Sequence, residues 1–327
     1  MNSHRFEFKS PSLDFKESTV YVDVLQVDSA KPPRVRWFVG DRLFYDTGCL
    51  KLFTELRYSS ARTSIYELQD SFSGNVDCRL VSPEHLSPVF LMWPHGQFNV
   101  HVENVVSSRD VECQNVDCQK VACQNVAEVP LMDGSAVPFF YGLRRAAGAP
   151  EPLVFYDAPV NAQWDLFEEN ADGSRRTFGH VRICPAETFE VEYVLDRDKS
   201  RGDRADIRSA ASVSIYSPEN LFQIFMARTF VSAEEFELAK CSGLLGGVDE
   251  SCGMLLTHCD GGKCSKEFRV ASEPAMHKIL DLIGDLTFIC PALPRVRIEI
   301  TNGGHVSHRQ IMERLIPYVS AGLFEKI

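Results

Sequence analysis

Apolar and polar residues alternate along several short stretches of this chain. Thr19-Val20-Tyr21-Val22-Asp23-Val24 and Phe98-Asn99-Val100-His101-Val102-Glu103 repeat every second residue, the pattern of half-buried strands. Val76-Asp77-Cys78-Arg79-Leu80-Val81 and Arg297-Ile298-Glu299-Ile300-Thr301 read as two more strands. Phe140 to Ala147 and Pro218 to Arg228 read as helices, and Met276 to Leu286 as a third. Strands stand beside helices without regular alternation, which predicts an α+β fold. Two prolines after a helix, in Ala149-Pro150-Glu151-Pro152, put a domain boundary there, giving domains over 1–149 and 150–327.

The third helix carries the chemistry. His277, Asp281 and Asp285 are four apart and drift by only about 40° per step, so they share one face. Ile279, Leu280, Leu282, Ile283 and Leu286 cover much of the rest, which predicts a buried helix. A buried His beside two carboxylates needs compensation. A zinc ion supplies it, since His nitrogen and Asp oxygen are ordinary zinc ligands. A core His satisfied by a neighbouring carboxylate explains the pattern too, and the helix alone leaves both readings open.

Other segments add donors. Ser82-Pro83-Glu84-His85-Leu86 places a carboxylate before a histidine, with Pro83 fitting a turn or a first helical position. Asn302-Gly303-Gly304-His305 follows the last strand, where two glycines permit close backbone approach. Five motifs occur in order: Glu84-His85-Leu86, then Pro130-Leu131-Met132-Asp133-Gly134-Ser135-Ala136-x-Pro138-Phe139, then Ala227-Arg228-Thr229-Phe230. His277-Lys278-x-x-Asp281-x-x-Gly284-Asp285-Leu286 and Gly303-Gly304-His305 complete the series. The series resembles the UDP-3-O-acyl-N-acetylglucosamine deacetylase family, zinc amidases that commit bacteria to lipid A. The similarity runs from about residue 60 to about residue 310, and the first fifty residues match poorly.

The resemblance implies a complete active site. His85, His277 and Asp281 are then the protein ligands of a catalytic zinc, with a fourth position open for water. Glu84 is the general base, and His305 the cationic partner and general acid toward the sugar amine. Asp285 orients His305 and raises its pKa. Lys278 points off the ligand face, toward the diphosphate of a nucleotide-sugar. The implied reaction frees the 2-amine of UDP-3-O-acyl-N-acetylglucosamine and releases acetate. The implied architecture is two similar domains, each a mostly antiparallel sheet with a helix pair, the helices packed between the sheets around the zinc. An apolar passage for the acyl chain is expected between Asp196 and Ser217, although Arg197 to Arg204 is charged enough to read as a loop. Zinc is the usual ion for these ligands, and ferrous iron fits similar groups.

Three positions depart from the family pattern. Asp14, in Ser10-Pro11-Ser12-Leu13-Asp14, stands where the family has a sugar-pocket histidine. Val194 aligns with a threonine that holds the carbonyl oxygen, a hydrogen bond worth about 2–4 kcal/mol of barrier. Gly246-Gly247-Val248 replaces Gly-Gly-Ser. They keep open a second reading, a catalytically weak or inactive zinc-binding homologue with a regulatory or ligand-binding role, and a third, an amidase acting on another acetamido compound.

Composition sets the context. With 327 residues and 44% hydrophobic content, the chain can form two ordinary domains. No apolar run approaches about 18 residues, and Met1 to Phe8 is too polar for a signal peptide. Eleven cysteines without such a signal read as free thiols in a reducing compartment. The expectation is a cytoplasmic monomer, transiently peripheral to the inner membrane because its substrate carries a chain. The net charge of −11 argues against nucleic acid and asks for a local basic patch around Lys278. Cys113, Cys118 and Cys123 sit in three five-residue repeats, read as a surface loop rather than a metal site. His258 to Cys264 reads as a Gly-Gly turn between strands.

Overall fold

A computed structural model describes residues 4–27, 33–49, 56–60, 63–69, 76–103, 106–107, 125–169, 173–198, 206–242, 245–258 and 263–323. The first half runs β1 (His4–Ser10), β2 (Ser18–Val27), β3 (Arg34–Val39), β4 (Arg42–Asp46), β5 (Leu56–Ser60), β6 (Ser64–Gln69) and β7 (Val76–Val81). Two 3-10 turns, Pro83–His85 and Ser87–Met92, lead into β8 (Gly96–Val102), β9 (Val106–Ser107), β10 (Asn125–Glu128) and α1 (Val137–Ala147). The second half runs β11 (Phe155–Tyr156), β12 (Ala162–Glu169), β13 (Arg175–Pro185), β14 (Phe189–Arg197), β15 (Ile207–Ile215) and α2 (Pro218–Phe225). Then come β16 (Phe230–Ser232), α3 (Ala233–Cys241), β17 (Met254–His258), β18 (Lys263–Cys264), α4 (Glu273–Ile289), β19 (Leu293–Pro294), β20 (Val296–Thr301) and α5 (His305–Leu323).

The fold is α+β, and its halves repeat one plan. The first sheet has the order β1-β2-β8-β3-β4, and the later one β12-β13-β20-β14-β15. In both, two hairpins flank a late central strand that runs antiparallel to one and parallel to the other. The segment just before that central strand carries the site in each half. It is the 3-10 pair before β8 and the long helix α4 before β20. A second five-stranded sheet, β5-β6-β7-β10-β9, belongs to the first half.

Helix α4 is wrapped by protein, as its apolar circumference predicts; all but Lys278 of its residues are buried. Its C-terminal Phe288 sits among aromatics of the first half, 4.0 Å from Tyr66, 5.1 Å from Tyr45 and 5.4 Å from Trp37 between ring centroids. Burying such a ring contributes about 1.5–3 kcal/mol, and favourable pairing adds about 0.5–1.5 more. Tyr45 also donates to the Ile289 carbonyl at 3.1 Å, satisfying the end of the helix.

Some boundaries move. The helix expected from 140 begins at Val137, with Pro138 in its first turn. The helix expected over 218–228 ends at Phe225, because Arg228 is drawn into a buried pair with Glu273. Strand β15 continues the second sheet across 207–215. The three-cysteine repeat and residues 199–205 lie outside the described residues, as do 259–262 between the antiparallel β17 and β18.

Candidate active site

The Glu84-His85 turn and helix α4 meet because position 284 is glycine. A β-carbon there would collide with the Glu84 carbonyl, and Ser87 Oγ donates to the Gly284 carbonyl at 2.6 Å. The contact brings His85, His277 and Asp281 together: one donor atom from each lies within 4.8 Å of the others, and all three residues are buried. His277 Nε2 is 3.1 Å, and His85 Nε2 3.4 Å, from Asp281 Oδ1.

Hydrogen bonding leaves lone pairs turned inward. His277 Nδ1 lies 3.2 Å from the Ala227 carbonyl, which can only accept, so Nδ1 carries the hydrogen. Burial lowers the His277 pKa, outweighing the pull of Asp281, so the ring is neutral and Nε2 presents a lone pair. Asp281 Oδ1 faces it, buried and without a hydrogen-bond partner among the described residues. Two electron-rich atoms at that separation repel in the absence of a cation. Burial raises Asp281, yet the Lys278 ammonium paired with it at 2.7 Å helps hold the carboxylate well below its usual range, so it stays ionised. The donor set fits a divalent ion such as zinc.

Glu84 sits alongside. Its Oε1 accepts from Thr63 Oγ1 and from Ser64 N at 3.2 Å. Its Oε2 is buried, with no hydrogen-bond partner among the described residues. Burial raises its pKa, partly offset by His305 and His85.

His305 opens α5 after a turn held by Asn302, which has a left-handed φ of 54°. The Asn302 side chain accepts from Asp196 N at 2.7 Å and donates to the Phe178 carbonyl at 2.9 Å. His305 Nδ1 lies 3.1 Å from Asp285 Oδ2, while its Nε2 stands 3.8 Å from Asp281 and 3.9 Å from Glu84. Burial lowers His305, but Asp285, Asp281 and Glu84 more than offset it and raise the pKa to about 9. Burial also pushes Asp285 up, and the neighbouring imidazoles bring it below its ordinary value.

One participant escaped the sequence reading. His308 Nδ1 lies 2.9 Å from the same Asp285 oxygen, and its Nε2 is 3.2 Å from the Tyr193 hydroxyl. Its signal was present: His305-x-x-His308 is an i, i+3 pair on one helix face.

Lys278 departs from expectation. Its Nζ pairs with Asp281 Oδ2 at 2.7 Å and lies 5.5 Å from the centroid of the Phe230 ring, so it bends toward the cluster. Val194 departs too. It shares its strand face with Glu190 and Glu192, while Tyr193 and Leu195 point inward, so its side chain is not in the site.

A cavity of about 940 Å³ adjoins the cluster. Lys278, Gly304 and His305 border it, and Phe230, Phe236, Leu238, Leu245 and Met254 supply apolar wall. Much of that wall belongs to the β16-α3-β17 excursion between α2 and α4, and Arg197 and Ile207, from the stretch expected to carry a passage, line the cavity as well.

The sequence matches the family model described as LpxC: UDP-3-O-acyl N-acetylglycosamine deacetylase over residues 100–317. It is 32% identical over 168 residues to a UDP-3-O-acyl-N-acetylglucosamine deacetylase of Thermosynechococcus vestitus, covering 50% of this chain and 51% of that protein. The chain thus spans about half the length of this relative. With the model covering most of the chain, the protein belongs to the UDP-3-O-acyl N-acetylglycosamine deacetylase family.

Proposed function

We propose that the protein hydrolyses the 2-acetamido group of UDP-3-O-acyl-N-acetylglucosamine to a free amine and acetate, a step of lipid A biosynthesis. The convergence of His85, His277 and Asp281 on one buried point, with Glu84 and His305 beside it, carries this reading.

His85, His277 and Asp281 would hold one divalent ion, zinc or ferrous iron. When bound, such an ion supplies Lewis acidity and makes water easier to deprotonate near neutrality. Glu84 takes a proton from the attacking water through Oε2, the oxygen to which no donor among the described residues binds. His305 holds its proton at Nε2, because Nδ1 is engaged by Asp285, and delivers it to the sugar nitrogen as the C–N bond breaks. Asp285 orients that ring and stabilises its cationic form. Lys278 orients Asp281 and borders the cavity, where it offers a cation to an anionic nucleotide. The apolar wall of the cavity suits an acyl chain.

Residues 1–149 would then supply Glu84 and His85, and 150–327 the remaining site groups. A cytoplasmic monomer meeting the inner membrane only to take its substrate fits this chemistry. Among the described residues no helix is long and apolar enough to cross a membrane.

Incubating zinc-loaded protein with UDP-3-O-acyl-N-acetylglucosamine tests the reading. Acetate release that collapses in Glu84→Ala at unchanged metal content supports it. Substrate binding without acetate, in the wild-type protein, rejects it in favour of a non-catalytic homologue.

A further inference from the structure

Glu128 is fully buried and takes no part in the chemistry above, yet it is the hub of two polar branches. One branch leads to the cavity. Glu128 accepts from Ser12 Oγ at 2.7 Å, Leu13 N at 3.1 Å and Asp14 N at 3.2 Å. Leu13 lines the cavity, and its carbonyl accepts from Gly247 N at 3.3 Å. Gly247 in turn has no room for a β-carbon beneath the Ser12 and Phe15 carbonyls. Two departures noted in the sequence, at 12–14 and 246–248, are therefore one packed corner of the cavity wall.

The other branch leads to Glu84. Ser82 Oγ lies 3.4 Å from Glu128 Oε1 and 2.8 Å from Thr63 Oγ1, with one hydrogen to donate to either, and Thr63 donates its own to Glu84 Oε1. Ser82 has a left-handed φ of 58°, immediately before Pro83 and Glu84. A serine in that conformation needs fixing from outside, and these hydroxyl contacts fix it.

We propose that Glu128 is a positioning residue that ties the cavity wall to the carboxylate of Glu84, so that chain binding and base orientation are set from one point. The assignment rests on the roles given above to Glu84 and the cavity.

Single variants cut the branches separately in the full, metal-loaded chain. Thr63→Val removes the hydroxyl next to Glu84, and kcat falls about tenfold while KM holds. Ser12→Ala loosens only the wall, so KM for the acylated substrate rises several-fold while kcat holds. Glu128→Ala does both. In the Glu128→Ala/Thr63→Val double variant, kcat is no lower than in the worse single, because both act along one chain. Glu128→Gln keeps the volume but turns an amide N–H toward a backbone N–H of Leu13 or Asp14, and it raises KM as Ser12→Ala does.

Amide exchange at Leu13 and Asp14, followed without substrate, reads the wall independently of turnover. It accelerates in Glu128→Ala and Glu128→Gln and is unchanged in Thr63→Val. Unaltered kinetics in Glu128→Ala at full metal content, multiplicative kcat losses in the double variant, or unaltered exchange in both Glu128 variants would each overturn the proposal. A wild-type protein that releases no acetate strikes the proposed reaction instead, and the exchange result still decides whether Glu128 holds the wall.

Discussion

The backbone of Gly284 lies directly against the carbonyl of Glu84, with no space for a side chain between them. That contact sets the separation between the turn bearing Glu84 and His85 and the helix face bearing His277 and Asp281. Gly284→Ala forces a methyl group into it. Overpacking of this kind costs about 1–3 kcal/mol, and here it also parts the donor atoms. The expected result is a lower unfolding temperature together with less than one divalent ion retained per chain after dialysis. Full metal content in Gly284→Ala would show that the contact does not set the donor spacing.

Arg228 and Glu273 hold the other side of His277. Arg228 Nε donates to Glu273 Oε1 at 2.8 Å and its amide N donates to the same oxygen at 2.9 Å, both residues being buried. This pair fixes the backbone beside the Ala227 carbonyl, which selects the His277 tautomer. Arg228→Ala strands the Glu273 carboxylate, a loss of about 3–5 kcal/mol by denaturant unfolding. Replacing both residues with apolar side chains recovers part of that stability but not the metal affinity, because the carbonyl is no longer anchored. A double variant binding zinc as tightly as wild type would rule out this support.

The pH dependence of stability has a definite sign. His305 titrates at about 9 in the folded protein, above the ordinary histidine value of about 6.5. Its protonation therefore stabilises the metal-free fold fully below about 6.5, and that contribution disappears as pH rises toward 9. Denaturant midpoints of the metal-free protein should fall across this window, and His305→Gln should flatten the fall. A bound divalent cation repels the imidazolium and moves the window downward, which a repeat titration with zinc would reveal. Identical slopes for wild type and His305→Gln would remove His305 as the group responsible.

The sequence carried much of this site for a simple reason. His277, Asp281 and Asp285 lie on one helix, where spacing alone defines a shared face, and the burial of that helix follows from the apolar residues around it. What spacing cannot give is the meeting of separate segments. Lys278 lies off the ligand stripe, and its reach back to Asp281 depends on a flexible side chain packed by Phe230. The part of the cavity wall that α3 supplies is not legible in the sequence, because α3, with Glu234, Glu235 and Glu237, reads as a solvated helix, and only its packing beside β17 turns Phe236 inward. Val194 reads as a lost hydrogen-bond donor in the sequence because a position in a motif carries no direction, and the strand aims that side chain away from the site.

The shared strand order of the halves has a consequence for how such a centre can arise. The repeated plan supplies two matching ledges, one before each central strand, yet the ledges carry different cargo: Glu84 and His85 on a short turn, His277, Asp281 and Asp285 on a long helix. Each copy by itself offers an incomplete set of donors. An ion bridging them would therefore act as a clasp, joining the twin units and reporting by its retention whether they are correctly seated.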